Sequence, residues 1–390
     1  MAGTFDTPIR RLGTSSIKWD RCKKKFSTDK ELIPLWIADT DFRAPEEVMA
    51  AIHERTDHGV FGYTFAMEDY LSAVSGWFRR RHGLETELSW IAPTYGVVTA
   101  LRFTIEALTQ PGDKVMILTP AYEPFFAIVQ NTGRTLVECP LQRSGESWYM
   151  DFDRIEDGFR GGVKMMIFCS PHNPVSRIWT AEELGQLTAL CARYGVYLAS
   201  DEIHCDVELF GNRFVSLGSF ENVRDLVMCY TAPGKSFSMS GLMASNLIIP
   251  DERLRTAVTG KLGDAWIMSP NIFGLVAAQA AYEHGDAWLD EELRYLEGNS
   301  LLVQEALKNT LPEVRVSRHE GTFLMWLDFS ALGLGEQELC RRIVDVCGLG
   351  LGFGSHYGAQ FGEFMRINIG CARPLLAQAM ERLTRVRSAE

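Results

Sequence analysis

The sequence predicts an α/β fold: a parallel or mostly parallel sheet covered by helices on both faces, with a second, smaller α+β domain. Three observations carry this. Short, continuously apolar runs alternate with helical stretches from Ser89 to Gly285, the pattern of strands buried on both faces. Run after run delivers a polar residue at its C-terminal end (Tyr122, Asn173, Asp201, Lys235), the edge where open α/β sheets bind ligands. After Gly285 the alternation stops, and a long helical stretch with short strands follows. The expected division is an N-terminal arm and part of the small domain over 1–45, a large domain over 46–285 and a small C-terminal domain over 286–390.

Taken in order, residues 5–19 are polar and read as an arm lying over another element, with Arg10-Arg11-Leu12-Gly13-Thr14 and then Lys18-Trp19-Asp20. Residues 32–41 form a short buried segment ending in carboxylates. Pro45, Glu46 and Glu47 start a helix, because proline fits the first turn and acids favour its positive end. Val48, Met49 and Ile52 give that helix an apolar face. Residues 59–64 are a glycine-rich loop presenting Tyr63. Residues 90–101 read as a strand, a glycine turn at Gly96 and a helix. Strands follow at 114–118, 163–169, 196–200, 226–230 and 244–249, with a helix at 181–194. Beyond Gly285, helices are expected at 288–311, at 336–347 and at the terminus, and strands at 314–317, 322–329 and 365–369.

Composition narrows the function. Of 390 residues, 46% are hydrophobic and 23% charged, ordinary for a globular protein with a sizeable core. A net charge of −11 argues against nucleic acid as a partner, since phosphate binding needs a basic surface. Lys23-Lys24-Lys25 is too short to be more than a solvated patch. Nothing near the start reads as a signal peptide, and no apolar stretch is long enough to cross a bilayer. The nine cysteines form no Cys-x-x-Cys pair, and the histidines show no metal-ligand spacing. The expectation is a cytoplasmic protein with reduced, buried thiols, no metal and no membrane partner.

The chain is organised around Thr231-Ala232-Pro233-Gly234-Lys235-Ser236-Phe237. A lysine at the end of a buried strand loses charge by desolvation, and a neutral amine forms a Schiff base with an aldehyde. Alone, Lys235 reads more readily as a surface lysine in a loop than as a catalytic one. Its companions match one cofactor, pyridoxal 5′-phosphate. That molecule needs a lysine for its aldehyde, a carboxylate for its ring nitrogen, an aromatic face, and free backbone N–H groups at a helix start for its phosphate. Lys235, Asp201, Tyr122 and the Gly96-Val97-Val98 turn fill these roles. Singly, Asp201 could be a helix cap, Tyr122 core and Gly96 a tight turn. Their order and placement at strand ends tell against coincidence. An aspartate beside a cationic pyridinium should be ionised.

With these residues in view, the chain resembles the fold-type I pyridoxal-phosphate enzymes, the aspartate aminotransferase superfamily. Within them it is similar to the MalY/PatB-type cystathionine β-lyases, or cysteine-S-conjugate C–S lyases. The resemblance covers nearly the whole chain. It rests on Arg11-Leu12-Gly13-Thr14 with Lys18-Trp19-Asp20, the segments 36–42 and 58–63, Ser170-Pro171-His172-Asn173-Pro174, Ser200-Asp201-Glu202-Ile203-His204, 231–237, 321–328 and 364–370. It implies a large domain with a seven-stranded, mostly parallel sheet that binds the cofactor. By resemblance, Lys235 holds the cofactor and then removes the substrate Cα proton. Asp201 holds the ring nitrogen, Asn173 the ring hydroxyl oxygen, and Tyr122 stacks. Val97 and Val98 serve the phosphate, and His204 and Thr231 complete the cofactor set. Ala38, Asn173 and Arg366 bind the amino-acid substrate, Arg366 gripping its carboxylate. Family members are homodimers with shared sites, so Tyr63 would reach the neighbouring subunit's phosphate.

Three positions depart from the family pattern: Ser176 replaces the glycine of Asn-Pro-x-Gly, Gly234 the serine before the lysine, and Ser238 an asparagine. Gly234 removes a hydroxyl that can contact phosphate. None removes a group that Schiff-base chemistry needs. Transaminases of the superfamily place a tyrosine where His204 stands, and with the branch-specific N-terminal segments this favours β-elimination. A thiolate leaves readily, since its thiol has a pKa of about 8.5. An S-substituted cysteine such as cystathionine would give pyruvate, ammonia and a thiol. The alternatives are a class I/II aminotransferase and, because branch members can regulate transcription by binding another protein, an interaction module.

Overall fold

The computed structural model describes residues 5–267 and 269–388. Its main sheet has seven strands: β1 (Ile91–Tyr95), β2 (Lys114–Thr119), β3 (Thr135–Pro140), β4 (Val163–Cys169), β5 (Tyr197–Asp201), β6 (Val227–Thr231) and β7 (Ala244–Ile248). They lie in the order β1-β7-β6-β5-β4-β2-β3. Only β7 runs antiparallel to its neighbours, β1 and β6; the other pairings are parallel. The expected mostly parallel sheet is therefore present, with 244–249 as the reversed strand.

β4 shows why the apolar runs are continuous. Met166 and Phe168 enter one core layer with Trp77, Trp179 and Val227, while Met165, Ile167 and Cys169 enter the opposite layer with Ala100, Met228 and Leu247. Alternate side chains point to opposite faces, and here both faces are dry. The helix Ala181–Tyr194 has the bounds the sequence implies. Thr180 and Glu183 form a capping box at its start, and Gly195 ends it at φ +65°.

A second core gathers around Leu324, Met325, Leu327, Met365 and Ile367. Its antiparallel sheet has the order Arg315–Val316, Leu324–Asp328, Phe364–Asn368, Gly352–Phe353. Ile33 and Pro34 pair in parallel with Leu349 and Gly350, so the N-terminal segment joins this unit. The arm is less plain than its sequence. It contains two one-turn helices, Ile17–Asp20 and Cys22–Lys25, and Lys18 is buried. The stretch expected as one helix at 336–347 is an α-helix, Glu336–Arg341, continued as a π-helix over Arg342–Val346.

Two of the departures have local reasons. Ser176 takes φ +63°, the conformation that favours glycine, and its hydroxyl donates to the Leu324 carbonyl. Gly234 is packed against the backbone of Ser240; a Cβ there would lie 2.9 Å from the Ser240 Cα. A serine at 234 would have to displace that turn.

Candidate active site

The carboxyl ends of β4, β5 and β6 and the start of the helix after β1 open onto one cavity of about 370 Å³. Val97, Val98, Tyr122, Asn173, Asp201, His204 and Lys235 line it, with Ala38 closing one side. A second cavity of about 190 Å³ adjoins it and shares Ala38, Tyr122 and Lys235. Arg366, Trp36, Phe26, Phe353 and Tyr357 line this one.

Each group is delivered by a local feature. Gly96 has φ +81°, a conformation that favours glycine, and a Cβ there would also push on the Met243 Cε at 2.8 Å. The turn leads into the helix Val97–Leu108, whose first N–H groups have no intrahelical acceptor and whose first residues, Val97, Val98 and Thr99, line the cavity. Tyr122 caps the helix Glu123–Asn131, and the Phe125 ring meets its edge at 5.6 Å and 88°. Asp201 ends β5 and accepts a hydrogen bond from the Ile203 N–H at 3.1 Å. Lys235 follows β6, and its Nζ donates to the Ala38 carbonyl. Arg366, on the strand Phe364–Asn368, donates to Asn173 Oδ1 at 3.0 Å and to the Trp36 carbonyl at 2.6 Å, while its Nε meets no protein acceptor.

Electrostatics follows burial. Desolvation pulls the Lys235 ammonium down to about 8, against the pull of Asp39 and Asp201 and with the push of Arg366. Burial raises Asp201 to about 7, although the Ile203 N–H and Lys235 favour its ionised form. A cationic ring nitrogen opposite this carboxylate would favour ionisation further. His204 is held well below its ordinary value by burial and by the charges of Lys235 and Arg366, so its ring is neutral. Its Nδ1 is buried without a hydrogen-bond partner among the described residues.

Two expected residues lie elsewhere. Thr231 is fully buried, is not part of the cavity wall, and its hydroxyl meets no protein partner. Tyr63 is fully exposed on its loop and does not line the cavity of its own chain. Thr99 and Ser240 line the cavity without having been expected. Thr99 sits on the first turn of the helix after Gly96, and that spacing is the signal that could have found it; Ser240 opens the separate short helix Ser240–Leu242, which the lysine motif does not reach.

An amine of lowered basicity, a buried carboxylate, an aromatic ring and a helix start meet in one cavity, and this donor set fits pyridoxal 5′-phosphate. Comparison with known proteins agrees. The family model for aminotransferase class I and II matches residues 30–383. Cystathionine β-lyase PatB of Bacillus subtilis is 38% identical, the match covering 97% of this chain and 98% of PatB. Protein MalY of Escherichia coli is 30% identical over 96% of each chain. The crystal structure of cystalysin from Treponema denticola, which contains pyridoxal 5′-phosphate, superposes with a TM-score of 0.95 at 31% identity, covering 98% of both chains. The chain belongs to the aminotransferase class I and II family.

Proposed function

We propose that this protein is a pyridoxal-phosphate-dependent carbon–sulfur lyase that cleaves S-substituted L-cysteines by β-elimination, cystathionine among them. The substrate and water give pyruvate, ammonia and a thiol. The observation that carries the reading is the pair of cavities joined at Ala38, Tyr122 and Lys235, one holding the cofactor residues and the other Arg366 behind an aromatic wall. The names of PatB and cystalysin's cofactor-bound structure support it.

The cofactor, when bound, supplies an electron-accepting ring that stabilises negative charge at the substrate Cα. The chain's own residues do the rest. Lys235 holds the cofactor aldehyde, then as a free amine takes the Cα proton. Its lowered basicity leaves a useful neutral fraction near pH 8. Asp201 holds the ring nitrogen. Asn173 and His204 are hydrogen-bond partners for ring substituents, Tyr122 gives the stacking face, and the N–H groups of Val97 and Val98 take the phosphate. Arg366 grips the substrate carboxylate beside Ala38. Phe26, Trp36, Phe353 and Tyr357 enclose the sulfur substituent.

Tyr63 belongs to an exposed apolar loop with Val60, Phe61, Phe65 and Met67, which suits a homodimer in which this loop completes a neighbouring site. No described helix is long and apolar enough to cross a membrane. The free cysteines fit a cytoplasmic enzyme. Incubation with cystathionine and no 2-oxo acid should release pyruvate and thiol in equal amounts. A strict requirement for a 2-oxo acid would establish the aminotransferase reading instead.

A further inference from the structure

The segment Trp36–Asp39 lies between Lys235 and Arg366, and each of its four carbonyls is occupied. Trp36 accepts from Arg366 and Ala38 from Lys235. The other two carbonyls, those of Ile37 and Asp39, both accept from Asn368 Nδ2 at 2.6 Å. One strap of backbone thus holds both groups assigned to chemistry, and Asn368 pins it from the strand that carries Arg366.

The strap is fastened at its far end by charge. Lys18, with a side chain of 0% exposure, donates to Asp41 Oδ2 at 2.7 Å and to the Asp39 carbonyl at 3.1 Å, and lies 3.6 Å from Asp39 Oδ1. Arg11 bridges the same carboxylates, reaching Asp41 Oδ1 at 2.6 Å and Asp39 Oδ2 at 2.8 Å. Trp19 Nε1 also donates to Asp41 Oδ1, at 3.1 Å. Two cations and two carboxylates balance, and none of the four lines either cavity. Thr40 adds a hydroxyl contact to Ser238, which ties the strap to the lysine turn.

We propose that Lys18, Arg11, Asp39 and Asp41 form an ionic clasp that positions the Trp36–Asp39 strap, and through it sets where Lys235 and Arg366 rest and the field that Lys235 feels. They are positioning residues, since none of the four lines either cavity. Lys235 is faced by Asp39 from the strap, Asp201 at the end of β5, His204 from the turn after it, Arg366 from its strand, Tyr122 from its helix cap and Cys169 at the end of β4. The clasp itself is faced by the Cys371 thiol, which burial pushes up to about 12 and so keeps uncharged. Of these charges, only Asp39 is shared between clasp and amine. The inference rests on Lys235 as the cofactor-bearing amine and not on the lyase reading, so a failed pyruvate assay leaves its test intact.

The test compares Lys18→Met with Asp41→Asn. The midpoint of Lys235 is read in the cofactor-free full chain as the pH dependence of its reductive methylation, followed by mass spectrometry. Removing a cation from the clasp leaves Asp39 less neutralised and should raise the midpoint by about 0.5 unit or more; removing an anion should lower it by a similar amount. The double variant should return to within about 0.2 unit of the parent. In the holoenzyme each single variant should raise KM by roughly 10-fold through Arg366. Arg11→Gln, at a quarter-exposed position, carries the same sign as Lys18→Met and replaces it if the buried substitution does not fold. Simple loosening of the arm would move both midpoints the same way. That outcome, or two unmoved midpoints, overturns the proposal.

Discussion

Substituting Asp206 by alanine should unfold the protein far more easily while leaving both cavity walls unaltered in composition. Asp206 lies behind the lysine turn. Its Oδ1 accepts from Trp77 Nε1 at 2.9 Å and is hydrogen-bonded to His82 Nε2 at 2.7 Å. Its Oδ2 accepts from Ser236 Oγ at 2.5 Å. Ser236 follows Lys235 directly, so this carboxylate anchors the turn that presents the amine. Trp77 and Ser236 have 0% exposure and the His82 side chain 2%, so no donor has water as a substitute. Each stranded buried donor costs about 1–3 kcal/mol, and breaking a buried charged contact costs about 3–5 kcal/mol. Loss of all three acceptor contacts should therefore cost about 4 kcal/mol, and Asp206→Asn, which keeps a carbonyl oxygen, about half of that. Urea titration of the full chain measures both. The pH dependence carries a sign. Burial alone would raise the Asp206 pKa, but its bonds from His82, Ser236 and Trp77 hold it below the ordinary carboxylate value. An acid lowered on folding stabilises the protein above its unfolded pKa and loses that contribution as pH falls through the folded one. The gap between parent and variant should thus be present at pH 5 and shrink below about pH 4. A loss under about 1 kcal/mol at pH 5 would refute the reasoning, because it would mean that the three donors find other partners.

Two further outcomes follow from burial. Lys235, with a midpoint of about 8, should be neutral in roughly a quarter of molecules at pH 7.5, against about one in a thousand for an ordinary lysine, so its methylation should be about 200-fold faster. A rate profile centred near pH 10 would contradict this. Glu292 is fully buried, neither of its oxygens meets a donor among the described residues, and burial together with the charge of Asp206 holds its pKa well above the ordinary value. An acid raised on folding stabilises below its unfolded pKa and loses that contribution as pH rises. Glu292→Gln should therefore gain stability over the parent between pH 4 and pH 8, by about 1–3 kcal/mol at the upper end in urea titrations. No gain across that range would show that the carboxyl is accommodated as an anion.

The large sheet was legible because its strands bury both faces, which leaves an apolar run with no period to misread. The edge strand β3 was not, since Thr135 and Glu138 face solvent and its alternation is weak. The reversed direction of β7 leaves no trace in composition. At the site, the strand-end residues could be read because each is a polar residue closing an apolar run, and all of them meet in one cavity. Lys18 could not: its partners Asp39 and Asp41 lie 21 and 23 residues away, and only the folded arm shows that a lysine in a polar stretch is fully enclosed. Thr231 was inferred from its place in the lysine motif, yet strand alternation turns its side chain into the core.

The choice between elimination and transamination rests on what surrounds the substrate's β-position. Both reactions need an amine to take the Cα proton. Transamination then needs the same amine to deliver a proton to the cofactor carbon, whereas elimination needs only that the sulfur depart. A thiolate departs without an acid, because its thiol pKa of about 8.5 is close to neutrality. The wall facing that departure is aromatic: Phe26 lies 5.7 Å from Trp36 and 5.4 Å from Phe353. Among the described residues the one carboxylate lining this cavity, Glu123, has a side chain 62% exposed, too open to serve as a dry proton donor, and Lys25 and His356 line the cavity beside it. A largely aromatic wall suits a leaving group that needs no acid. An alcohol or amine leaving group would have to draw a proton from Lys25, His356, Tyr357 or Lys235, a demand that a departing thiolate does not make.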